Sequence, residues 1–211
     1  MYECIIFDVD GTLINTEKAI IGSLQRMLKV EFGKEFSEEE LLFTLGIPGE
    51  KALSQLGITD IKKGMEGWAE HLKDFFMYIE LFSGIEEVVK TLNEIGIRTG
   101  IVTSRIDEEI KNDLVLKKLI DYFSLVICAD DTLKHKPEPE PLLKFLEITE
   151  ANPSKAIYIG DTIYDFKCAQ GAGVDFGLAL WGAKSTEGIK AKYNFKNPNE
   201  ILEILSSAQT I

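Results

Sequence analysis

Five short apolar runs, at residues 4–7, 100–102, 125–128, 156–159 and 176–180, set the tightest limit on what this chain can fold into. Each is too short for an independent helix and ends in polar or turn residues. Most are rich in Ile and Val without polar alternation, the pattern of strands buried on both faces of a parallel sheet. Helical stretches lie between them. Residues 85–95 carry Ile85, Val88, Val89, Leu92 and Ile95 along one helical stripe, and Gly96 follows as a C-cap signal. A second stretch, 138–146, follows a Pro-rich entry, and a third spans 164–172. Alternation of strand and helix predicts an α/β doubly wound sheet.

Residues 15–82 interrupt that alternation. They have helical periodicity and no convincing strand, with a capping-box spacing at Ser37 and Glu40 and a turn signal at Gly46-Ile47-Pro48-Gly49. A helical insertion after the first strand predicts a cap over a core made of residues 1–14 and 83–211. The insertion carries eight basic and twelve acidic side chains, so it is not a basic clamp. The whole chain has 23 Lys and Arg against 35 Asp and Glu, a formal charge of −12. That balance argues against nucleic acid or an anionic membrane surface as partner, because either is repelled at long range. An anionic substrate must instead meet local cations or a bound metal. The three cysteines, Cys4, Cys128 and Cys168, form no CxxC pair and sit in apolar runs, which predicts reduced, buried thiols. The start, MYECIIFDVD, has no basic n-region, and no apolar run approaches the roughly 20 residues of a membrane span. The expectation is a cytoplasmic monomer or homodimer, with residues 206–211 a frayed tail.

In a doubly wound sheet, chemistry sits at the carboxyl ends of the strands. The first run ends in Asp8 and Asp10, followed by Gly11-Thr12; the second in Thr103 and Ser104; the third in Asp130 and Asp131; the fourth in Gly160-Asp161, with Asp165 one helical turn on. Lys136 lies in the linker HKPEPEP. Asp8, Asp10 and Asp161 converging on one edge repel each other, and an all-oxygen set of this kind suits Mg²⁺. One lysine and two hydroxyls beside such an ion make a cradle for a phosphoryl group. An Asp nucleophile needs no deprotonation at neutral pH, and the mixed anhydride that it forms is readily hydrolysed. A second Asp two residues on points to the same side of an extended strand and can move the proton. Other polar residues have plainer readings that are preferred: Asp130 and Asp131 as caps rather than catalytic groups, Arg105 as a surface helix-start residue rather than one reaching the pocket, Lys51 as a surface lysine rather than a substrate contact, and His71 and His135 without partner spacing. Asp161 and Asp165 also suit an N-cap and a first-turn carboxylate.

Phe7-Asp8-Val9-Asp10-Gly11-Thr12-Leu13 resembles the first motif of the haloacid dehalogenase superfamily, DxDGT, in its phosphatase branch. Thr103 is similar to the Ser/Thr of the second motif, Lys136 before Pro137 to the third, and Gly160-Asp161-Thr162-Ile163-Tyr164-Asp165 to the fourth, GDxxxD. The insertion resembles the cap of the phosphoglycolate phosphatase and β-phosphoglucomutase group. The resemblance implies a Rossmann-like three-layer core with a helical cap, and a Mg²⁺-dependent phosphatase of a small phosphorylated metabolite. It implies Asp8 as nucleophile and metal ligand, and Asp10 as general acid/base with its backbone carbonyl on the metal. Asp161 is then the third protein ligand, Thr103 and Lys136 hold the phosphoryl oxygens, and Asp165 orients Lys136 or a metal-bound water. Ser104 joins Thr103 and Lys136 among the phosphate ligands by its position, although many relatives have Asn there. Pyrophosphatase and phosphomutase activities are alternatives on the same fold, and a non-catalytic binding module is a third. Thr12 and Gly160 depart from the mutase branch, which usually has Val and an acidic residue there.

Overall fold

The computed structural model describes residues 1–206 of the chain, so the expected tail lies, beyond Ser206, outside the described residues. Its centre is a parallel sheet of β1 (Cys4–Phe7), β4 (Arg98–Val102), β5 (Val126–Ile127), β6 (Ala156–Gly160), β7 (Asp175–Ala179) and β8 (Tyr193–Phe195), in the order β5-β4-β1-β6-β7-β8. The chain builds outward from β1 through β4 to β5, then returns across to β6 and continues to β8. The crevice where that order reverses lies at the carboxyl ends of β1 and β6, the usual place for a ligand. Two helical layers cover the sheet: α5 (Ile85–Glu94) and α9 (Glu200–Ser206) pack on one apolar cluster, α7 (Glu140–Thr149) and α8 (Ile163–Ala172) on the other. This is the expected three-layer α/β class. The five apolar runs all contribute strands, with shifted ends: β4 starts earlier, at Arg98, and β5 keeps only Val126 and Ile127 of its run.

The core strands are apolar because both faces are covered. Ile5, Ile6 and Phe7 are fully buried, and Ile5 and Phe7 join one cluster while Ile6 joins the other, as the two-residue period of a strand requires. All three cysteines are free and buried. No described helix is long and apolar enough to cross a membrane.

The 15–82 segment is helical, as its periodicity predicts: α1 (Glu17–Phe32), α2 (Glu38–Leu41), α3 (Gly49–Gln55) and α4 (Ile61–Leu72) pack around a cluster of their own that includes Leu24, Met27, Leu28, Leu41 and Leu53. Ser37 and Glu40 form the expected capping box at the start of α2. Two short strands correct the expectation of none. β2 (Ile14–Asn15) and β3 (Glu80–Leu81) pair antiparallel, Ile14 opposite Leu81 and Asn15 opposite Glu80, where the chain leaves the sheet region and where it returns. Two residues are too few to show a period of two, so the pair has no signature in the sequence. Its effect is to hold both ends of the helical lobe side by side, joined to the β1 turn by the bridge between Asp10 and Ile14.

Candidate active site

The turn after β1 is the most constrained piece of backbone in the site. Leu13 and Ile14 donate to the Val9 carbonyl at 2.9 and 3.0 Å, and Gly11 donates to the Ile14 carbonyl at 2.9 Å. Gly11 takes a φ of 79°, and a Cβ there would lie 2.2 Å from Asp161 Oδ2. Only glycine both adopts that backbone and lets the β1 turn meet the Asp161 carboxylate. Asp8, at the end of β1, donates its N–H to the Ile159 carbonyl at 2.9 Å, which ties it to β6, the strand that delivers Asp161.

Lys136 is fully enclosed, and its Nζ donates to Asp8 Oδ1 and to Asp165 Oδ1, each at 2.7 Å. Carboxylate oxygens of Asp8, Asp161 and Asp165 all lie within 4.8 Å of one another. Three carboxylates and one ammonium leave two negative charges without compensation in a buried space. The consequences show in the acidities. Burial, with Asp165 and Asp10 nearby, outweighs Lys136 and pushes the Asp8 carboxyl up to about 7. Burial and the charges of Asp165 and Asp8 raise Asp161 well above the usual carboxylate range. Burial disfavours the Lys136 ammonium, but Asp165 and Asp8 reverse that and hold it charged.

The same donor set fits a hard divalent cation. Asp8 Oδ2 is buried and without a partner among the described residues, and Asp161 Oδ1 accepts from the Thr12 hydroxyl at 3.3 Å. Asp165, by contrast, has both oxygens engaged: Oδ1 accepts from Lys136 with the Tyr158 hydroxyl 3.0 Å away, and Oδ2 accepts from the Thr162 N–H at 3.0 Å. Asp165 is thereby tied to both Lys136 and the start of α8. It also closes a capping box with Thr162, which is the N-cap of α8 in place of Asp161.

Asp10 stands apart from this cluster. Its Oδ1 accepts from Thr16 Oγ1 at 2.7 Å and from Arg105 Nη2 at 2.6 Å, and its Oδ2 from Arg105 Nε at 2.8 Å. Burial alone would raise the Asp10 carboxyl, but the Arg105 guanidinium and the Thr16 hydroxyl hold it below its ordinary value. This corrects the surface reading of Arg105. Its guanidinium reaches inward and bridges Asp10 to Asp113, whose Oδ2 lies 2.6 Å from Nη1. A lone arginine after a strand end carries no periodicity, so nothing in the sequence distinguishes the two outcomes. Tyr158 was also missed: its ring is buried in β6 among apolar neighbours, but its hydroxyl lies 3.3 Å from Lys136 Nζ and donates to the Val102 carbonyl at 2.8 Å.

Thr103 is buried at the end of β4, its N–H on the Ile127 carbonyl at 3.0 Å and its Oγ1 accepting from Arg105 N at 3.2 Å. Ser104 turns toward the helical lobe and donates Oγ to the Gly46 carbonyl at 3.1 Å. The remaining polar residues take structural places. Asp130 accepts from Asp107 N at 3.0 Å, Asp131 from Cys128 N at 2.8 Å, and His71 lies 3.3 Å from Glu31, while Lys51 is exposed on α3. Between the lobe and the carboxyl edge lies a cavity of about 70 Å³, lined by residues that include Asp10, Asp161, Leu45, Phe82, Trp181 and Lys184.

Fold and site together define an α/β enzyme with a cation-seeking acidic centre at the carboxyl edge of its sheet. The model of the haloacid dehalogenase-like hydrolases matches residues 5–179, and the chain belongs to that family. It is 30% identical over 207 residues to pyrophosphatase PpaX of Bacillus cereus (strain G9842), covering 96% of each chain. A presumed phosphoglycolate phosphatase of Lactobacillus plantarum superposes with a TM-score of 0.88 at 33% identity, over 97% of this chain and 99% of that one. A presumed haloacid dehalogenase-like hydrolase of Bacteroides fragilis gives 0.81 at 26% identity, over 92% and 95%. The chain is a phosphoric ester hydrolase of the haloacid dehalogenase type.

Proposed function

We propose that this enzyme hydrolyses a small phosphorylated metabolite with Mg²⁺, through an aspartyl-phosphate on Asp8. The observation that carries the reading is the buried Lys136 ammonium held between Asp8 and Asp165, with Asp161 alongside and two negative charges left over. The side chains of Asp8 and Asp161 and the main-chain carbonyl of Asp10 would hold the ion, which supplies charge neutralisation for the transferring phosphoryl group. Asp8 attacks phosphorus, the bond to the leaving oxygen breaks, and Asp10 gives that oxygen its proton. Water then attacks the aspartyl-phosphate, with Asp10 taking the proton back, and phosphate leaves. Lys136 and Thr103 hold phosphoryl oxygens, and Asp165 keeps Lys136 in place. As found, Asp10 is held in the ionised form that the second step uses; the first step requires Arg105 to release one of its oxygens and that oxygen to carry a proton, taken from solvent or kept from the water of the preceding turnover. The lobe of residues 15–82 acts as a cap over a core of 1–14 and 83–211 and keeps bulk water out, with the Ser104–Gly46 hydrogen bond as one of its contacts with the core.

Pyrophosphate is a specific second reading within the same chemistry. The PpaX relative favours it. Phosphate release from a panel of phosphorylated metabolites, pyrophosphate included, tests both. Activity is expected to fall by at least about 100-fold on chelation and to return with Mg²⁺. Hydrolysis indifferent to chelation, or an isomer accumulating in place of phosphate, contradicts the proposal.

The raised Asp8 carboxyl makes a further expectation. Protons compete with the cation for Asp8 and for Asp161, whose carboxyls are both raised, so Mg²⁺ affinity rises with pH through about 7. Calorimetric titration should find binding about tenfold weaker at about pH 6 than at about pH 8, with protons released on binding. In the metal-free protein the native state holds a proton on Asp8 that the unfolded chain has lost, so stability declines as pH rises from the ordinary carboxylate range to about 7.

A further inference from the structure

Lys136, Arg105 and Lys184 stand near the carboxyl edge, and the first two are fully committed. Lys136 is divided between Asp8 and Asp165, and Arg105 between Asp10 and Asp113. Lys184 is different. It is the only cation among the described residues lining the cavity that contains Asp10 and Asp161, and it pairs with a single carboxylate, Glu17. Their side chains are 44% and 36% exposed, so exchanging Glu17 for another anion costs little.

The backbone that carries Lys184 is fixed to the catalytic turn. Trp181 Nε1 donates to the Thr12 carbonyl at 3.0 Å, and Gly182 and Ala183 both donate to the Ala179 carbonyl, at 3.2 and 3.1 Å. Gly182 lies so close to the β1 turn that a Cβ on it would fall 1.7 Å from the Gly11 carbonyl oxygen. Lys184 is therefore set at a constant offset from the Asp8–Asp10 turn, on a flexible side chain.

We propose that Lys184 determines specificity: it leaves Glu17 to bind a negative charge carried by the leaving group, which selects phosphoryl compounds whose leaving group is itself anionic. The proposal rests on the phosphatase reading above, in which Asp10 protonates the leaving oxygen. The leaving group must then lie beside Asp10, in the cavity that Lys184 lines. A carboxylate or a second phosphate supplies the same charge, and Glu17 occupies the place when neither is bound. The cap carries a net negative charge and offers no such cation to this cavity.

The test compares kcat/KM for pyrophosphate, for phosphoglycolate as a carboxylate-bearing monoester, and for p-nitrophenyl phosphate, whose leaving group has no fixed charge, all with Mg²⁺. In Lys184→Gln the ratio of anionic to p-nitrophenyl substrate is expected to fall about tenfold, mainly through KM. In Glu17→Gln it is expected to rise, because the competing carboxylate is gone. Whichever anionic substrate carries the loss identifies the charge that Lys184 receives. A change of less than about threefold in Lys184→Gln for both anionic substrates, or a fall in both variants, overturns the proposal. Failure of the phosphatase reading would look different, since the unaltered enzyme would then hydrolyse none of the three.

Discussion

Asp8→Asn is expected to abolish turnover while leaving the fold intact. The amide has nearly the volume of the carboxylate, and Lys136 keeps Asp165 as a partner at 2.7 Å, so no buried charge is stranded. What is lost is the nucleophile, together with one charge that would bind the cation. Removing a nucleophile whose partners act as a unit costs on the order of 10⁴-fold or more in kcat. Thermal unfolding in a chelator separates this from misfolding. Burial pushes the native Asp8 carboxyl up to about 7, so above that pH its ionised form is a burden on the metal-free fold. The variant should melt no lower than the native protein at about pH 8, and nearly level with it at about pH 5, where Asp8 already holds its proton. Substantial activity in a preparation free of native enzyme would remove Asp8 from the nucleophile's role.

Lys136→Met is the second large expectation, and it should damage fold and function together. The ammonium separates Asp8 from Asp165 in a space with no exposure to speak of. Taking one partner from a buried ion pair costs about 3–5 kcal/mol. At about 2–4 °C per kcal/mol for a chain of this size, the melting temperature should drop by roughly 6–20 °C. The sign of its pH dependence follows from the charges left behind. Without Lys136, which lowers it, the Asp8 carboxyl holds its proton still more readily in the native state than in the unfolded chain, so the deficit is smallest in acid and grows as the pH rises. Activity should fall at least about 100-fold, because the group that neutralises the phosphoryl oxygens is missing. Arginine is not a conservative rescue, since a planar fork does not fit where a compact ammonium meets two carboxylates. A variant as stable as the native protein across this pH range would show that the Asp8–Lys136–Asp165 chain is not the strained, charge-dense feature described here.

Parts of this architecture were legible in the residues, for physical reasons that differ from part to part. β1 and β6 are continuous apolar runs because both faces of the central sheet are covered, and such runs need no neighbours to be recognised. The acidic cluster was legible because strand ends collect at one edge: Asp8, Lys136 and Asp161 come from three separated places and lie together there, with Thr103 at the end of the neighbouring strand β4. β8, with its polar Asn194, and the two-residue pair β2–β3 were not legible, since edge strands and short pairs are defined by what they lie against. Arg105 was misread for a related reason. Whether an arginine after a strand turns outward or toward Asp10 depends on Asp113, eight residues away, capping Val115 and Leu116 with one oxygen and holding the guanidinium with the other. Ser104 was placed with the phosphate ligands on its position, yet its hydroxyl reaches the lobe through Gly46, a contact that only the packing of the lobe on the core creates.

Rapid acid quenching of a single turnover, with a substrate carrying a radiolabelled phosphoryl group, tests the proposed chemistry most directly. The predicted result is transient labelling of the protein on the peptide containing Asp8, lost on treatment with hydroxylamine as an acyl phosphate must be, and absent in Asp8→Asn. Label appearing on another residue, or full release of phosphate with no labelled protein at any time point, would contradict it.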